Sequence, residues 1–233
     1  MSKEKSRSDI RKNRVRREKR GFFKTLVLWS FLLAVFFVIC GAAAGVAVYY
    51  SISKDLPKIT SLSDYHPSII TSVYADDNRK IAEFFKERRI VMPLAQMPSM
   101  LVDAFVAAED SRFYKHQGID FISIIRAFFK NLEAGTIVQG GSTITQQVTK
   151  SFLLTPERSY TRKLKEAILA YRIDKSFSKT DILFLYLNQI YLGHGAYGVQ
   201  AAAENYFGKS AKDLNLAECA MLAGLPQAPS KYS

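Results

Sequence analysis

The chain has 233 residues, with 33 Lys and Arg against 21 Asp and Glu for a formal charge of +12. Eleven of those cations and three of the acids fall in residues 1–24, so most of the excess sits in a terminal tail, which argues against a folded nucleic-acid-binding face. Disorder of the whole chain is excluded as well, because 48% hydrophobic and 12% aromatic residues are enough to fill a core.

Thr25–Ser53 is a run of 29 residues without a charge. A helix needs only ~20 such residues to cross a bilayer, and the run is well beyond the ~7–15 apolar residues of a cleaved signal peptide. An uncleaved transmembrane helix over 25–53 is expected. The basic residues precede it, whereas Lys54 and Asp55 follow it, so the positive-inside rule places 1–24 in the cytoplasm and the chain from 54 onward outside. The tail itself reads as a topology signal with some attraction to anionic lipid. Trp29 and Tyr49-Tyr50 suit the two interfaces. Gly41 and Gly45 have small-xxx-small spacing, a common pattern that is weak support for helix pairing. Cys40 lies inside this run and Cys219 far from it, so no disulfide framework is indicated, and neither cysteine lies near His66, His116 or His194 in a metal-ligand pattern.

Residues 54–65 read as a connector and 66–233 as the main domain. A strand pair is expected from Ser68–Tyr74 and Lys80–Phe85 around a turn at Asp76-Asp77-Asn78. From Ser99 onward the pattern is helical. Ser99 is expected to cap a helix running to about Phe113, and Asp120 one that stops at Gly135. Ser178 with Asp181 and Asn215 with Glu218 read as capping boxes. Ile122, Ile125, Phe129 and Leu132 mark one apolar stripe, and Leu164, Ile168 and Tyr171 another.

Val102, Phe105 and Val106 share a helix face with Glu109, so this carboxylate projects from the side that should meet the core. Such a group lines a cleft, where desolvation would raise its pKa toward that of a working base, or else lies at a solvated helix end. Arg162 and Glu166, at i, i+4, read by themselves as a surface ion pair worth roughly 0.3 kcal/mol.

Five segments in order go further. Glu109-Asp110-Ser111-Arg112-Phe113-Tyr114-Lys115-His116-Gln117-Gly118 fits E-D-x-x-F-x-x-H-x-G. Gln139-Gly140-Gly141-Ser142-Thr143-Ile144-Thr145-Gln146-Gln147 with Lys150 comes second, and Arg162-Lys163-Leu164-Lys165-Glu166 third. Ile182-Leu183 with Tyr186-Leu187-Asn188, then Ala201-Ala202 with Tyr206-Phe207-Gly208-Lys209, complete the set. Together they resemble the motifs of the peptidoglycan glycosyltransferases, glycosyltransferase family 51, found in class A penicillin-binding proteins, and the resemblance covers residues 66–233. Two positions depart from the family pattern: Phe184 stands where a Glu is usual, and Ser151 where an Asn is usual. The first is read as a local packing or hydrogen-bond change.

The resemblance implies a mainly α, lysozyme-like helical domain with a small β-hairpin region, preceded by one transmembrane helix. It implies a peptidoglycan polymerase that joins lipid II into β-1,4-linked glycan with inversion and release of undecaprenyl pyrophosphate. Glu109 corresponds to the base that deprotonates the acceptor 4-hydroxyl. Glu166 corresponds to a second carboxylate that assists pyrophosphate departure, directly or by holding a divalent cation, Mg2+ or Mn2+. Lys150, Arg158, Arg162 and Lys163 are expected to face the pyrophosphate. Asp110, Phe113, His116, Ser142, Thr143, Gln146 and Gln147 are expected around the substrate, with His116 fitting a structural hydrogen bond at least as well. Partners implied are lipid II, the growing glycan strand, membrane lipid and proteins of cell-wall synthesis or division; nucleic acid is not among them. The expected location is the bacterial cytoplasmic membrane, single-pass, with the domain outside. Phe128-Phe129 and Phe152-Leu153-Leu154 read as ordinary core, or as residues that dip into the bilayer. A glycan-cleaving enzyme of the lysozyme or lytic type and a membrane-anchored scaffold with a degenerate site stay open as rivals. A penicillin-binding transpeptidase is expected to follow residue 233 in the native protein, with a monofunctional transglycosylase as the alternative.

Overall fold

The computed structural model describes residues 2–54, 56, 67, 70–152 and 159–227, with backbone alone for 2–26, 151 and 152. The chain divides into two compact units, residues 1–55 and 56–233. The first is a single helix, α1 (Ser2–Ser53), in which the basic stretch and the apolar run are continuous. Its segment Val27–Ser53 is long and apolar enough to cross a membrane. At ~1.5 Å per residue it reaches about 40 Å, more than the ~30 Å of hydrocarbon it has to span. Trp29, Phe31, Phe36 and Val38 are all exposed on it. A helix apolar on every side suits lipid.

The second unit begins with a hairpin of β1 (Thr71–Tyr74) and β2 (Lys80–Phe84), paired antiparallel with Thr71 opposite Phe84. Asp77 accepts a hydrogen bond from the Arg79 N–H at 3.1 Å, and Asn78 takes a left-handed φ of 62°, so the expected turn chemistry forms. Ser68 and Ile69 lie outside the described residues. An unexpected second sheet pairs β3 (Arg88–Arg89) parallel to β4 (Ala196–Tyr197). Strands of two residues carry no periodicity that a sequence could display.

The remainder is mainly α: α2 (Ser99–Glu109), α3 (Phe121–Ala134), α4 (Ile144–Phe152), α5 (Tyr160–Ser176), α6 (Lys179–Gln189), α7 (Val199–Phe207) and α8 (Leu216–Gly224). Three expected caps form. Asp120 accepts from the N–H groups of Ile122 and Ser123, and both capping boxes are complete. Gly135 closes α3 in the left-handed region at φ 65°. The Ser99 cap does not form, because Pro98 holds that position and no side chain caps the helix. Nor does α2 reach Phe113. The chain leaves helical geometry at Asp110 (φ −154°, ψ 70°), and Phe113–Lys115 form a separate 3-10 turn.

Leu101, Phe105, Ile144, Val148, Leu169, Ile173, Ile182, Leu185 and Leu222 are buried to 2% or less in one core, and the Phe105 and Tyr186 rings meet edge-on at 6.0 Å. Asn188, fully buried on α6, accepts from the Met92 N–H at 2.8 Å and donates to the Met92 carbonyl at 3.0 Å, tying the 90–92 segment down. Phe184, where the resembled family has Glu, is half-buried and packs against this core; its carbonyl accepts from Asn188.

Both apolar stripes read from the sequence point away from the core. On α5, Leu164 and Tyr171 are exposed and Ile168 is half-buried, whereas Glu166, Leu169, Ala170 and Ile173 face inward at i, i+3, i+4 and i+7. The true inner stripe contains a carboxylate, so apolar periodicity misses it. On α3, Ile122, Ile125, Phe128, Phe129 and Leu132 are all exposed, Phe128 to 63% and Phe129 to 62%. The inner strip is Ser123, Ala127 and Asn131. This helix is inside out for water, and ordinary core is the wrong reading of Phe128 and Phe129. The side chain of Phe152 is not described, and Leu153 and Leu154 lie outside the described residues.

Candidate active site

The site is assembled where the C-terminal end of α2 meets α4 and α5. Asp110 is buried and breaks α2 for a reason: its carboxylate accepts from His116 Nε2 at 3.0 Å and from the Ile144 N–H at 3.1 Å. It therefore ties the end of α2 to the start of α4. Thr143 and Gln146 complete that start. The Thr143 N–H donates to Gln146 Oε1 at 2.9 Å, and the Gln146 N–H donates to Thr143 Oγ1 at 3.1 Å, a T-x-x-Q capping box. The Thr143 hydroxyl donates to the Gly118 carbonyl at 2.6 Å. Both side chains thus use their polar atoms to hold α4 in place.

Gly118 has a clear steric role. Its φ is 79°, and a Cβ there would lie 2.4 Å from the Ala170 carbonyl oxygen on α5. Only a residue without a side chain lets the 116–118 turn approach α5 this closely. Phe113 is fully buried beside Tyr114 and His116, with the Lys179 ammonium 4.5 Å above its ring. Lys179 also donates to the His116 carbonyl at 2.8 Å and pairs with Asp174. His116 and Phe113 accordingly form the scaffold behind Asp110.

With that frame fixed, Glu109 lies partly buried at the end of α2. Its Oε2 accepts from Gln147 Nε2 on α4 at 2.6 Å, and its other oxygen makes no hydrogen bond among the described residues. Burial pushes its pKa up, and the nearby Asp110 charge pushes the same way, against the Gln147 hydrogen bond and the Lys150 charge. Tyr186 lies close enough to feel Glu109 and Asp110. Burial and those two carboxylates drive its pKa far up, and its hydroxyl has no hydrogen-bond partner among the described residues.

Lys150, one turn beyond Gln147, connects Glu109 to the cations of α5. The residue as a whole is exposed, yet desolvation of its ammonium lowers its pKa. Lys163 and Arg162 lower it further, while Glu166 and Glu109 oppose them. Glu166 is fully buried. Arg162 Nη1 lies 2.9 Å from its Oε1 and Lys163 Nζ 2.9 Å from its Oε2, with the Arg162 and Lys163 side chains 23% and 48% exposed. Lys163 also reaches Ser142 Oγ at 3.3 Å. The surface-pair reading of Arg162 and Glu166 therefore fails: this carboxylate sits under two cations whose outer faces meet solvent. Arg158 lies outside the described residues.

The structure thus brings Glu109, Gln147, Lys150, Ser142, Arg162, Lys163 and Glu166 into one neighbourhood and puts Asp110, Phe113, His116, Thr143 and Gln146 behind it as support. Lys179 escaped the sequence reading, and Tyr186 entered it only as a member of the fourth motif, with no place at the site. A Lys in the first turn of α6 opposes the helix dipole, and that mismatch signals a tertiary partner. For Tyr186 the motif was the signal, but nothing in it distinguished a site residue from an aromatic on a core face.

A family model described as Transglycosylase matches residues 77–233. Penicillin-binding protein 1A of Rickettsia bellii is 47% identical to this chain over 215 residues, covering 91% of this chain and 27% of the relative. For penicillin-binding protein 1A of Escherichia coli the values are 46% over 207 residues, 89% and 24%, and for that of Neisseria flavescens 51% over 178 residues, 76% and 22%. A 2.6 Å crystal structure of penicillin-binding protein 1A from Haemophilus influenzae matches with a TM-score of 0.35 and 30% identity, over 72% of this chain and 16% of that one. The chain spans about a quarter of the length of the curated relatives it matches. Because the family model runs through the whole site from Glu109 to Glu166, the chain belongs to the transglycosylase family.

Proposed function

We propose that this transglycosylase is a peptidoglycan glycosyltransferase that polymerises lipid II into β-1,4-linked glycan and releases undecaprenyl pyrophosphate. Family membership makes the chain an enzyme, and its penicillin-binding relatives fit peptidoglycan synthesis. The observation that supports the substrate most is the pairing of a desolvated carboxylate, Glu109, with an adjacent cluster of cations. Glu109 takes the proton of the acceptor 4-hydroxyl, and that oxygen attacks the donor's anomeric carbon from the face opposite the leaving group. The anomeric C–O bond breaks with its electron pair going to pyrophosphate, and the linkage inverts. Lys150, Arg162 and Lys163 stabilise the charge that develops on the phosphate oxygens. Glu166 holds Arg162 and Lys163 in register for this task.

The donor set does not suit a resident divalent cation. Glu166 is occupied by two cations, and no three His, Cys, Asp or Glu side chains cluster among the described residues. A Mg2+ ion held mainly by substrate phosphates and water needs no such cage. It would arrive with the pyrophosphate.

Location belongs to the same proposal. The α1 span anchors the chain in the bacterial cytoplasmic membrane, with the basic residues inside and the domain outside. The exposed apolar face of α3 rests in the outer leaflet, where both lipid-linked substrates reside. The decisive experiment incubates the full chain in vesicles with labelled lipid II. Long glycan formed by the wild type, and lowered at least about 100-fold by Glu109→Gln, supports the proposal. Shortening of preformed glycan without polymerisation would overturn it.

A further inference from the structure

The segment between α3 and α4 has no secondary structure of its own, yet it is fastened to α3 at two points. One is the Asn131 side chain. Its Oδ1 accepts from the N–H groups of Val138 and Gln139, each at 2.9 Å, and its Nδ2 donates to the Gln139 carbonyl at 3.0 Å. A single amide thus satisfies three backbone groups that the loop cannot pair internally. The other is Gly141, where a Cβ would come within 3.0 Å of the Ile124 Cα. Residues 138–141 therefore run back along α3 from its last turn toward its first. Immediately beyond lie Ser142, which meets Lys163, and Thr143, which caps α4 ahead of Gln147. Ile137, 87% exposed, and Val138 extend the apolar surface of α3.

We propose that Asn131 is a positioning residue for glycosyl transfer, which locks residues 138–141 to α3 so that the lipid-facing helix and the catalytic start of α4 form one rigid unit. This rests on the lipid II polymerase reading above. Among the described residues Asn131 hydrogen-bonds neither Glu109 nor a cation, so its effect passes through Ser142, Thr143 and Gln147. Misplacing reacting groups by a fraction of an ångström lowers kcat and leaves substrate affinity largely intact.

The test compares the full-length wild type, Asn131→Ala and Asn131→Asp in lipid vesicles with lipid II, alongside amide hydrogen exchange at Val138 and Gln139 and thermal melting. Asp keeps the acceptor for both N–H groups, but its second oxygen replaces the donor and faces the Gln139 carbonyl, so two of the three bonds are restored. Asn131→Ala should exchange faster at Val138 and Gln139 and lose about 10-fold in kcat at nearly unchanged KM. Asn131→Asp should recover the slow exchange at Val138 and Gln139 and part of the lost kcat. Wild-type kcat in Asn131→Ala, or unchanged exchange, overturns the proposal. So does a kcat loss that follows a fall in Tm and is not recovered by Asp. A wild type that makes no polymer sinks the polymerase reading instead, and exchange at Val138 and Gln139 still decides whether Asn131 is the clamp.

Discussion

Removing either member of the Glu166–Arg162 pair should have unequal consequences, because the two partners are unequally buried. Glu166 is 0% exposed, whereas Arg162 is 23% and Lys163 48% exposed. Arg162→Met leaves a fully buried carboxylate with Lys163 alone. Stranding a buried charge entirely costs about 3–5 kcal/mol; the remaining Lys163, together with the loss of an Arg162 Nε that has no hydrogen-bond partner among the described residues, brings this to about 2–3 kcal/mol. Glu166→Gln strands two cations that can turn to water, and should cost about 1 kcal/mol. In a domain of this size each kcal/mol is worth about 2–4 °C in Tm. Arg162→Met should therefore melt about 4–12 °C below wild type and Glu166→Gln about 2–4 °C below. The double variant should resemble Glu166→Gln alone, since the stranded charge is gone; a thermal double-mutant cycle measures that coupling. Additive losses, or a Glu166→Gln variant less stable than Arg162→Met, would refute the burial argument and restore the surface-pair reading.

Glu109→Gln should lower polymerisation by about 10²–10⁴-fold. The wild-type rate should fall on the acid side as Glu109 protonates, at a pH above the ordinary Glu value of 4.5. Stability runs the other way. A carboxyl whose pKa is raised in the folded state destabilises the fold as pH climbs from the unfolded value through the folded one, so Glu109→Gln should melt above wild type at neutral pH and match it below about pH 4. Gly118→Ala, with its Cβ 2.4 Å from a backbone oxygen, should cost more than 3 kcal/mol; Gly135→Ala, at φ 65° with nothing within 4 Å, should cost about 1 kcal/mol, as chemical denaturation can show. Phe128→Trp in a Trp29→Phe background should be quenched by brominated lipid in vesicles, and a Trp at Phe128 that stays as accessible as free indole to aqueous quenchers removes the bilayer contact of α3.

Much of this was legible in advance, wherever one residue's chemistry decides a local structure. Asp120, Ser178 with Asp181 and Asn215 with Glu218 each satisfy orphan N–H groups from within four residues, so a sequence displays them directly. Ser99 misled because Pro98 already fixes the chain's entry to α2. The end of α2 was hidden for a different reason: Asp110 stops the helix through His116 and Ile144, and the latter is 34 residues away. Long-range partners also conceal Lys179, whose contacts to His116 and Phe113 cross more than 60 residues, and the parallel pairing of Arg88 with Ala196.

The two helices that broke the apolar-inside rule broke it in opposite directions, and the proposed lipid-linked substrate accounts for both. α5 turns Glu166 inward and covers it with Arg162 and Lys163, an arrangement that water alone would not reward, because two solvated cations need no buried carboxylate to hold them. The carboxylate fixes their geometry, and fixed cations are useful where negative charge appears suddenly on a departing group. α3 turns Phe128 and Phe129 outward and keeps Ser123 and Asn131 inside, which water also penalises and hydrocarbon does not. A soluble sugar phosphate would call for the first inversion and leave the second unexplained; a passive membrane anchor would call for the second and leave the first. The substrate proposed above, a pyrophosphate on a polyprenyl chain, would call for both.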